Sequence, residues 1–375
     1  MKDQHMHPVY LHDYQVPDYL IDTIDLEFDL TEEYATVKSH LVVKRNPEST
    51  TAKNNTLTLQ GEAIELQSIA LNGKPLSAAH YQIAGGLLTI PSVPENFTLD
   101  IQTRMKPQEN TALSGLYKSS GNYCTQCEAQ GFRRITYFLD RPDVMARYTT
   151  KIIADEKHYP VLLSNGNLIQ SGKLANGRHW VKWEDPFKKP SYLFALVAGN
   201  LEFLEDEFIT MSGRRVVLRI YVETGNQDKA GHAMQAVKKA MRWDEEKFGR
   251  EYDLDIYMIV AVSDFNMGAM ENKGLNIFNT KYILAKPESA TDLDYIHIES
   301  VIAHEYFHNW SGNRVTCRDW FQLSLKEGLT IFRDQSFTAD TTSRTVARIA
   351  DVNDLRNSQF IEDSGPLAHP VRPDS

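Results

Sequence analysis

Cysteine is scarce. Cys124, Cys127 and Cys317 are the only three in 375 residues, which excludes a disulfide framework as the source of stability. Cys124-x-x-Cys127 has the spacing of a redox pair or of half a zinc site. No second CxxC accompanies it and no thioredoxin-like βαβ pattern surrounds it, so the two read as ordinary thiols in a loop. Long apolar runs are also missing. The longest aliphatic stretches, such as Ile256–Val262, fall far short of the roughly 18 residues a membrane helix needs. The opening MKDQHMHPVYLHDYQVPDYL has neither an apolar signal core nor a small-residue cleavage site, so a soluble, cytoplasmic chain without membrane insertion is expected. There is no basic block: Lys+Arg is 40 and Asp+Glu is 50, a net charge of 40 − 50 = −10. That balance argues against nucleic acid as a partner and against a polybasic membrane anchor. Internal repeats and low-complexity linkers are absent too. What remains, 42% hydrophobic and 24% charged with 20 Gly and 15 Pro, can bury a large core in two or three domains.

Residues 1–200 read as β structure. Ile24, Leu26, Phe28 and Leu30 alternate with polar neighbours, as do Ala35, Val37, Ser39, Leu41 and Val43, and again Phe97, Leu99, Ile101, Thr103 and Met105. Asn72-Gly73 and Asn165-Gly166 signal tight turns. An antiparallel sandwich or open barrel follows. The pattern changes near Asn200. Strands are expected at Arg215–Val222, Asp255–Ser263 and Asn276–Leu284. Helices are expected at Gln227–Phe248, Asp292–Trp310 and Ser324–Phe337, with a weaker one near Thr342–Phe360. The fold class is therefore α+β and multidomain, with a β-sandwich-like domain over 1–200 and a second domain over 201–375.

The chemistry concentrates in His304-Glu305-Tyr306-Phe307-His308. On a helix, positions i and i+4 lie one turn apart on one face, so both imidazoles can reach one ion. Glu305 lies beside them, within reach of a water on that ion. Asp292 and Asp294 suit the helix start and Ser311-Gly312-Asn313 its end. Glu327, on the next helix, offers a third ligand. Two His and one Glu leave a fourth position open, the catalytic zinc pattern, with one ion per chain. His297, on the same helix, reads as a surface or packing histidine. Upstream, Met267-Gly268-Ala269-Met270-Glu271-Asn272 follows an apolar strand. Its Gly-Ala pair would let an extended peptide approach the backbone and pair as an added strand. Glu271 then brings a carboxylate beside the zinc helix.

His304-Glu305-x-x-His308 with Glu327, preceded by Gly268-Ala269-Met270-Glu271-Asn272, resembles the aminopeptidase N family of zinc exopeptidases. HEYFHNWSGNRVTCRDWFQLSLKEGLTIFRDQ, from His304, and CEAQGFRRITYFLDRPDVMARYT, from Cys127, resemble its bacterial alanyl branch in particular. The resemblance covers essentially the whole chain. It implies a thermolysin-like zinc peptidase domain after the β domain, with His304, His308 and Glu327 as zinc ligands and Glu305 as general base. It implies that Glu271 and Glu128 hold the substrate's α-ammonium. Gly268, Ala269, Met270 and Asn272 would meet the substrate along the GAMEN motif, and Met267 would line the pocket for its first residue. The implied substrates are peptides with a free N-terminus, broadly Ala, basic or large apolar at that position, and the implied role is peptide catabolism by a monomer.

An α-ammonium has a pKa near ~8, so it is largely charged at neutral pH and suited to a pair of carboxylates. A fixed distance from that anchor to the metal would admit only the first peptide bond. The family also places a transition-state-stabilising tyrosine some tens of residues after the third ligand. Nothing after Glu327 in this chain matches it, and Tyr282 and Tyr306 lie in other contexts. The expectation is a chain incomplete at its C-terminus and weakly active or inactive, since such an oxyanion donor is worth about 10²–10³ in rate. Competing readings are a thermolysin-like endopeptidase, a relative that opens a lipid epoxide (which carries a doubled Gly where this chain has Gly268-Ala269), and a non-catalytic zinc-binding module.

Overall fold

The computed structural model describes residues 8–50 and 55–375. Strand Tyr19–Leu30 buries Ile24, Leu26, Phe28 and Leu30, as its alternation requires, and pairs antiparallel with Ala35–Arg45. Asn96–Met105 pairs with the far side of Ala35–Arg45. These three form the middle of an eight-stranded sheet. One pairing departs from the antiparallel expectation: Tyr19–Leu30 runs parallel to Ala146–Asp155, with Thr23 opposite Arg147. Parallel neighbours need a long connection, and the intervening chain supplies one with further strands in it.

The two Asn-Gly pairs behave differently. Asn72 and Gly73 both take positive φ, +50° and +72°, and close a two-residue hairpin between Glu65–Leu71 and Lys74–Pro75. Asn165-Gly166 closes no hairpin, because Val161–Ser164 belongs to a four-stranded sheet and Asn167–Lys173 to the eight-stranded one. Asn165 is instead a buried strut. Its Nδ2 donates to the carbonyls of Leu193 (3.0 Å) and Lys273 (2.8 Å), and its Oδ1 accepts from Ala195 N (2.8 Å).

The cysteine expectation needs correcting. Cys124 lies within strand Asn122–Gln126, not in a loop, and Cys127 follows directly; both are fully buried. The strand sends them into different cores, Cys124 with Tyr117 and Val197, Cys127 with Phe132 and Tyr148. Burial pushes the Cys124 thiol up to about 12 and the Cys127 thiol well above its usual value, so neither is a ready thiolate.

A five-stranded mixed sheet opens the second half, in the order Leu201–Ile209, Arg215–Glu223, Ile256–Val262, Leu275–Asn279, Ala269–Met270. Ile256–Val262 reads as an unbroken apolar run because both of its faces are covered. Tyr257, Ile259 and Ala261 pack under helices α1 (Gly231–Phe248) and α2 (Asp292–Phe307). Met258, Val260 and Val262 pack against Tyr117, Leu163 and Ala195 of the β-rich half. Helices α3 (Leu323–Thr341) and α4 (Arg344–Asp354) follow. Leu275–Asn279 is shorter than expected because Asn279 caps a 3-10 turn, Thr280–Tyr282, with Oδ1 accepting from Lys281 N. α2 stops at Phe307, where the Ser311 hydroxyl takes the Phe307 carbonyl at 3.0 Å. Among the described residues no helix is long and apolar enough to cross a membrane.

Candidate metal centre and active site

α2 begins in a capping box: the Thr291 hydroxyl accepts from Asp294 N, and the Asp294 carboxylate accepts from Thr291 N. Ile298, Ile302, Ala303, Tyr306 and Phe307 seat it in the core, and that seating presents His304 and His308 on one side. His304 Nε2 and His308 Nε2 lie 3.0 Å apart. Glu327 Oε2, from α3, lies 3.4 Å from the first and 3.5 Å from the second. For metal–ligand bonds of about 2.05 Å, tetrahedral ligand atoms stand about 3.3 Å apart, so the triangle has the size of a zinc face.

A partner on the far side of each imidazole fixes its orientation. His308 Nδ1 lies 2.8 Å from the Ser311 carbonyl, which can only accept, so Nδ1 carries the proton and Nε2 turns its lone pair to the cluster. His304 Nδ1 meets Asp334 Oδ2 at 2.6 Å. Burial opposes charge on His304, but Asp334 and Glu327 override it and raise the group to about 11. Burial likewise pushes Glu327 upward, and its bonds to both imidazoles reverse this and hold it far below the carboxylate range. The three inward atoms are thus arranged for a shared positive charge, and two imidazoles with one carboxylate suit zinc. Asp334 and Ser311 are the supports such a site needs.

Glu305 is 7% exposed and its Oε2 has no hydrogen-bond partner among the described residues. Burial raises its carboxyl to about 8; Glu271 and Glu327 push the same way, against His304 and Lys326. Glu271 is 3% exposed, and its carboxylate comes within 4.8 Å of those of Glu305 and of a His308 ring nitrogen. Glu128, from the β-rich half, joins Glu271 and Glu327 in a second group of the same span. Between these last three sits a residue that sequence reasoning missed. The Lys326 ammonium pairs with Glu271, with Glu128 at 2.8 Å and with Glu327 at 2.9 Å. Burial raises Glu128 to about 7, helped by the Glu271 charge, whereas Lys326 and His308 outweigh burial and lower Glu271. Lys326, Thr330 and Asp334 recur every fourth residue on the buried face of α3, and that polar spacing was the available signal.

The remaining expected residues divide. Ala269–Met270 is a short strand antiparallel to Leu275–Asn279 at the sheet's edge, so its outer side can accept another strand. Met267 is 46% exposed and Gly268 is exposed, both open to solvent. Met270 and Asn272 are fully buried; Met270 packs on Tyr192 and Leu193, and the Asn272 amide has no partner among the described residues. Tyr306 packs in the core against Tyr252 and Tyr257. His297 is exposed on α2, as expected.

The profile of the Peptidase M1 N-terminal domain matches residues 14–193, and that of the Peptidase family M1 domain matches residues 232–374. Aminopeptidase N of Escherichia coli strain K12 is 59% identical over 97% of this chain, and aminopeptidase N of Haemophilus influenzae 58% over 97%. The chain spans only 41% and 42% of those relatives' lengths. A crystal structure of Legionella pneumophila aminopeptidase A in complex with aspartic acid superposes with a TM-score of 0.88 at 41% identity, over 92% of this chain and 40% of that one. The HExxH helix with its downstream glutamate, the β-rich half docked against it and two family domains in succession lead to one conclusion: the chain belongs to peptidase family M1.

Proposed function

We propose that this chain carries the active centre of a zinc aminopeptidase that removes N-terminal residues from peptides. The placing of two groups side by side carries the reading: His304, His308 and Glu327, at the spacing of a metal face, stand beside two largely buried carboxylates, Glu271 and Glu128, whose oxygens come within 4.8 Å of Glu327. An endopeptidase would have no use for an acidic pair fixed at that distance from the metal.

A zinc ion held there would supply Lewis acidity toward a scissile carbonyl and toward water. The chain's own residues do the rest. Glu271 and Glu128 hold the α-ammonium by charge-assisted hydrogen bonds in a buried setting, with Lys326 keeping them from repelling each other. The outer edge of Ala269–Met270, beside the exposed Gly268, holds the peptide backbone extended, and Met267 borders its first side chain. Glu305, unpartnered at Oε2 and raised to about 8, takes a proton from water and returns it to the leaving amine. We further propose one zinc ion per chain, a monomer, a cytoplasmic setting and a role in peptide catabolism. We also divide the chain near Asn200, with 1–200 as the β domain and 201–375 as the catalytic unit.

Zinc content and hydrolysis of alanyl and lysyl reporter amides test the proposal, with the N-acetylated amides and Glu305→Gln as controls. The expected result is one zinc per chain in both proteins. Turnover of free-amine substrates only is expected, falling by about 10²–10⁴ in the variant. Equal turnover of acetylated substrates would favour an endopeptidase. Stoichiometric zinc without turnover would favour the inactive centre that the sequence reading allows, or a non-catalytic binding module.

A further inference from the structure

A buried charge cluster lies next to the site without containing any metal ligand or amine-side carboxylate. Asp253, on the loop after α1, pairs with both Lys273 and Arg314. Lys273 Nζ also donates to Asn309 Oδ1 at 2.6 Å, and Asn309 Nδ2 donates to Asp253 Oδ1 at 3.2 Å. Lys273 is 2% exposed and Asn309 4%. The Phe187 ring covers the group, 4.0 Å from the Arg314 guanidinium. Lys273 follows Glu271 by two residues, and Asn309 directly follows His308. The cluster therefore ties the turn that carries the amine-side carboxylate to the turn that carries the second imidazole.

A lysine this deeply buried is a poor device for stability alone, because its desolvation offsets most of what pairing returns. Fixing register is the better-attested use of buried polar groups. A second tie points the same way, since Asn313 Nδ2 donates to the Glu271 carbonyl at 2.8 Å. We propose that Asp253, Lys273 and Asn309 are positioning residues that set the separation of Glu271 from His308, so that one ligand can engage the amine anchor and the metal together. The inference rests on the aminopeptidase reading and adds the device that holds its two halves in register.

The test compares two ligands of the zinc-loaded protein by calorimetry. Alanine hydroxamate carries an α-amine; propionohydroxamate is the same molecule without it. The native chain is expected to prefer the first by at least about tenfold, the worth of one charge-assisted contact. In Asn309→Ala and Asp253→Asn, zinc stoichiometry and propionohydroxamate affinity should stay within about twofold of native, while the preference for the amine shrinks to about threefold or less. The visible spectrum of the cobalt-loaded variants with propionohydroxamate should match that of the native chain. Asn309→Ala removes a neutral amide and leaves the Asp253–Lys273 pair intact, so it serves if Asp253→Asn fails to fold. An amine preference that survives in the variants overturns the positioning role alone. Equal weakening of both ligands overturns it in favour of a purely structural role. A native chain without any amine preference overturns the aminopeptidase reading and this inference with it.

Discussion

Gly312 has no room for a side chain. Its φ is +138°, and a Cβ there would stand 2.9 Å from His308 Nδ1, the atom that bonds the Ser311 carbonyl. Gly312→Ala should therefore push the imidazole off its support and weaken zinc binding by about 10–100-fold, the usual cost of losing such a partner. Titration against a competing chelator measures it; unchanged affinity would show that the turn relaxes freely. Asp334→Asn attacks the other support and should weaken zinc by a similar factor. Among single residues, the proposed ligands were the legible part. His304 and His308 stand at helical i, i+4 spacing, and Glu327 lies on a recognisable second helix. Gly312 read only as a helix stop, because its closeness to a ring nitrogen depends on a backbone angle the letters do not carry. Lys326 was hidden by its type, since lysine beside glutamate on a helix usually means a solvated face.

At the level of elements, α3 inverts the usual amphipathic pattern. Its inward face carries Lys326, Thr330, Arg333 and Asp334, while Leu325, Leu329 and Phe332 are 68%, 51% and 61% exposed. The helix was legible in position but not in facing, because apolar residues ordinarily mark the buried side. Phe332→Lys and Leu329→Lys should change stability by no more than about 0.5 kcal/mol, read by denaturant melts. Phe337, fully buried against Trp243 and Phe307, should behave oppositely, with Phe337→Ala costing about 3–5 kcal/mol. A large loss from Phe332→Lys would mean that the outward face is covered in solution. On α2 the prediction is smaller. Thr291→Ala removes the cap and should cost about 1 kcal/mol, since the Asp292 and Asp294 charges remain at the helix start.

Across the whole molecule, the β-rich half is part of the site and not an appendage. It covers one face of the strand Ile256–Val262 and delivers Glu128 to Lys326. The alternating strands of that half were legible because a single buried face writes a period of two. Its docking was not, because an apolar run buried on both sides looks alike whatever covers it. Lys326 is the cation at this junction, and its pairing keeps it charged in spite of burial. Lys326→Met leaves Glu128 and Glu271 crowded without the cation between them, and breaking a buried pair in this way costs about 3–5 kcal/mol. Adding Glu128→Gln removes one of these two stranded carboxylates. The double variant should therefore be more stable than Lys326→Met alone, whereas Glu128→Gln by itself should be close to neutral, because burial and Glu271 already oppose the charge that Lys326 favours. Denaturant unfolding of the four metal-free proteins completes the cycle. Costs that simply add would mean that Glu128 and Lys326 do not share an energy, and that the two halves are joined by their apolar contact alone.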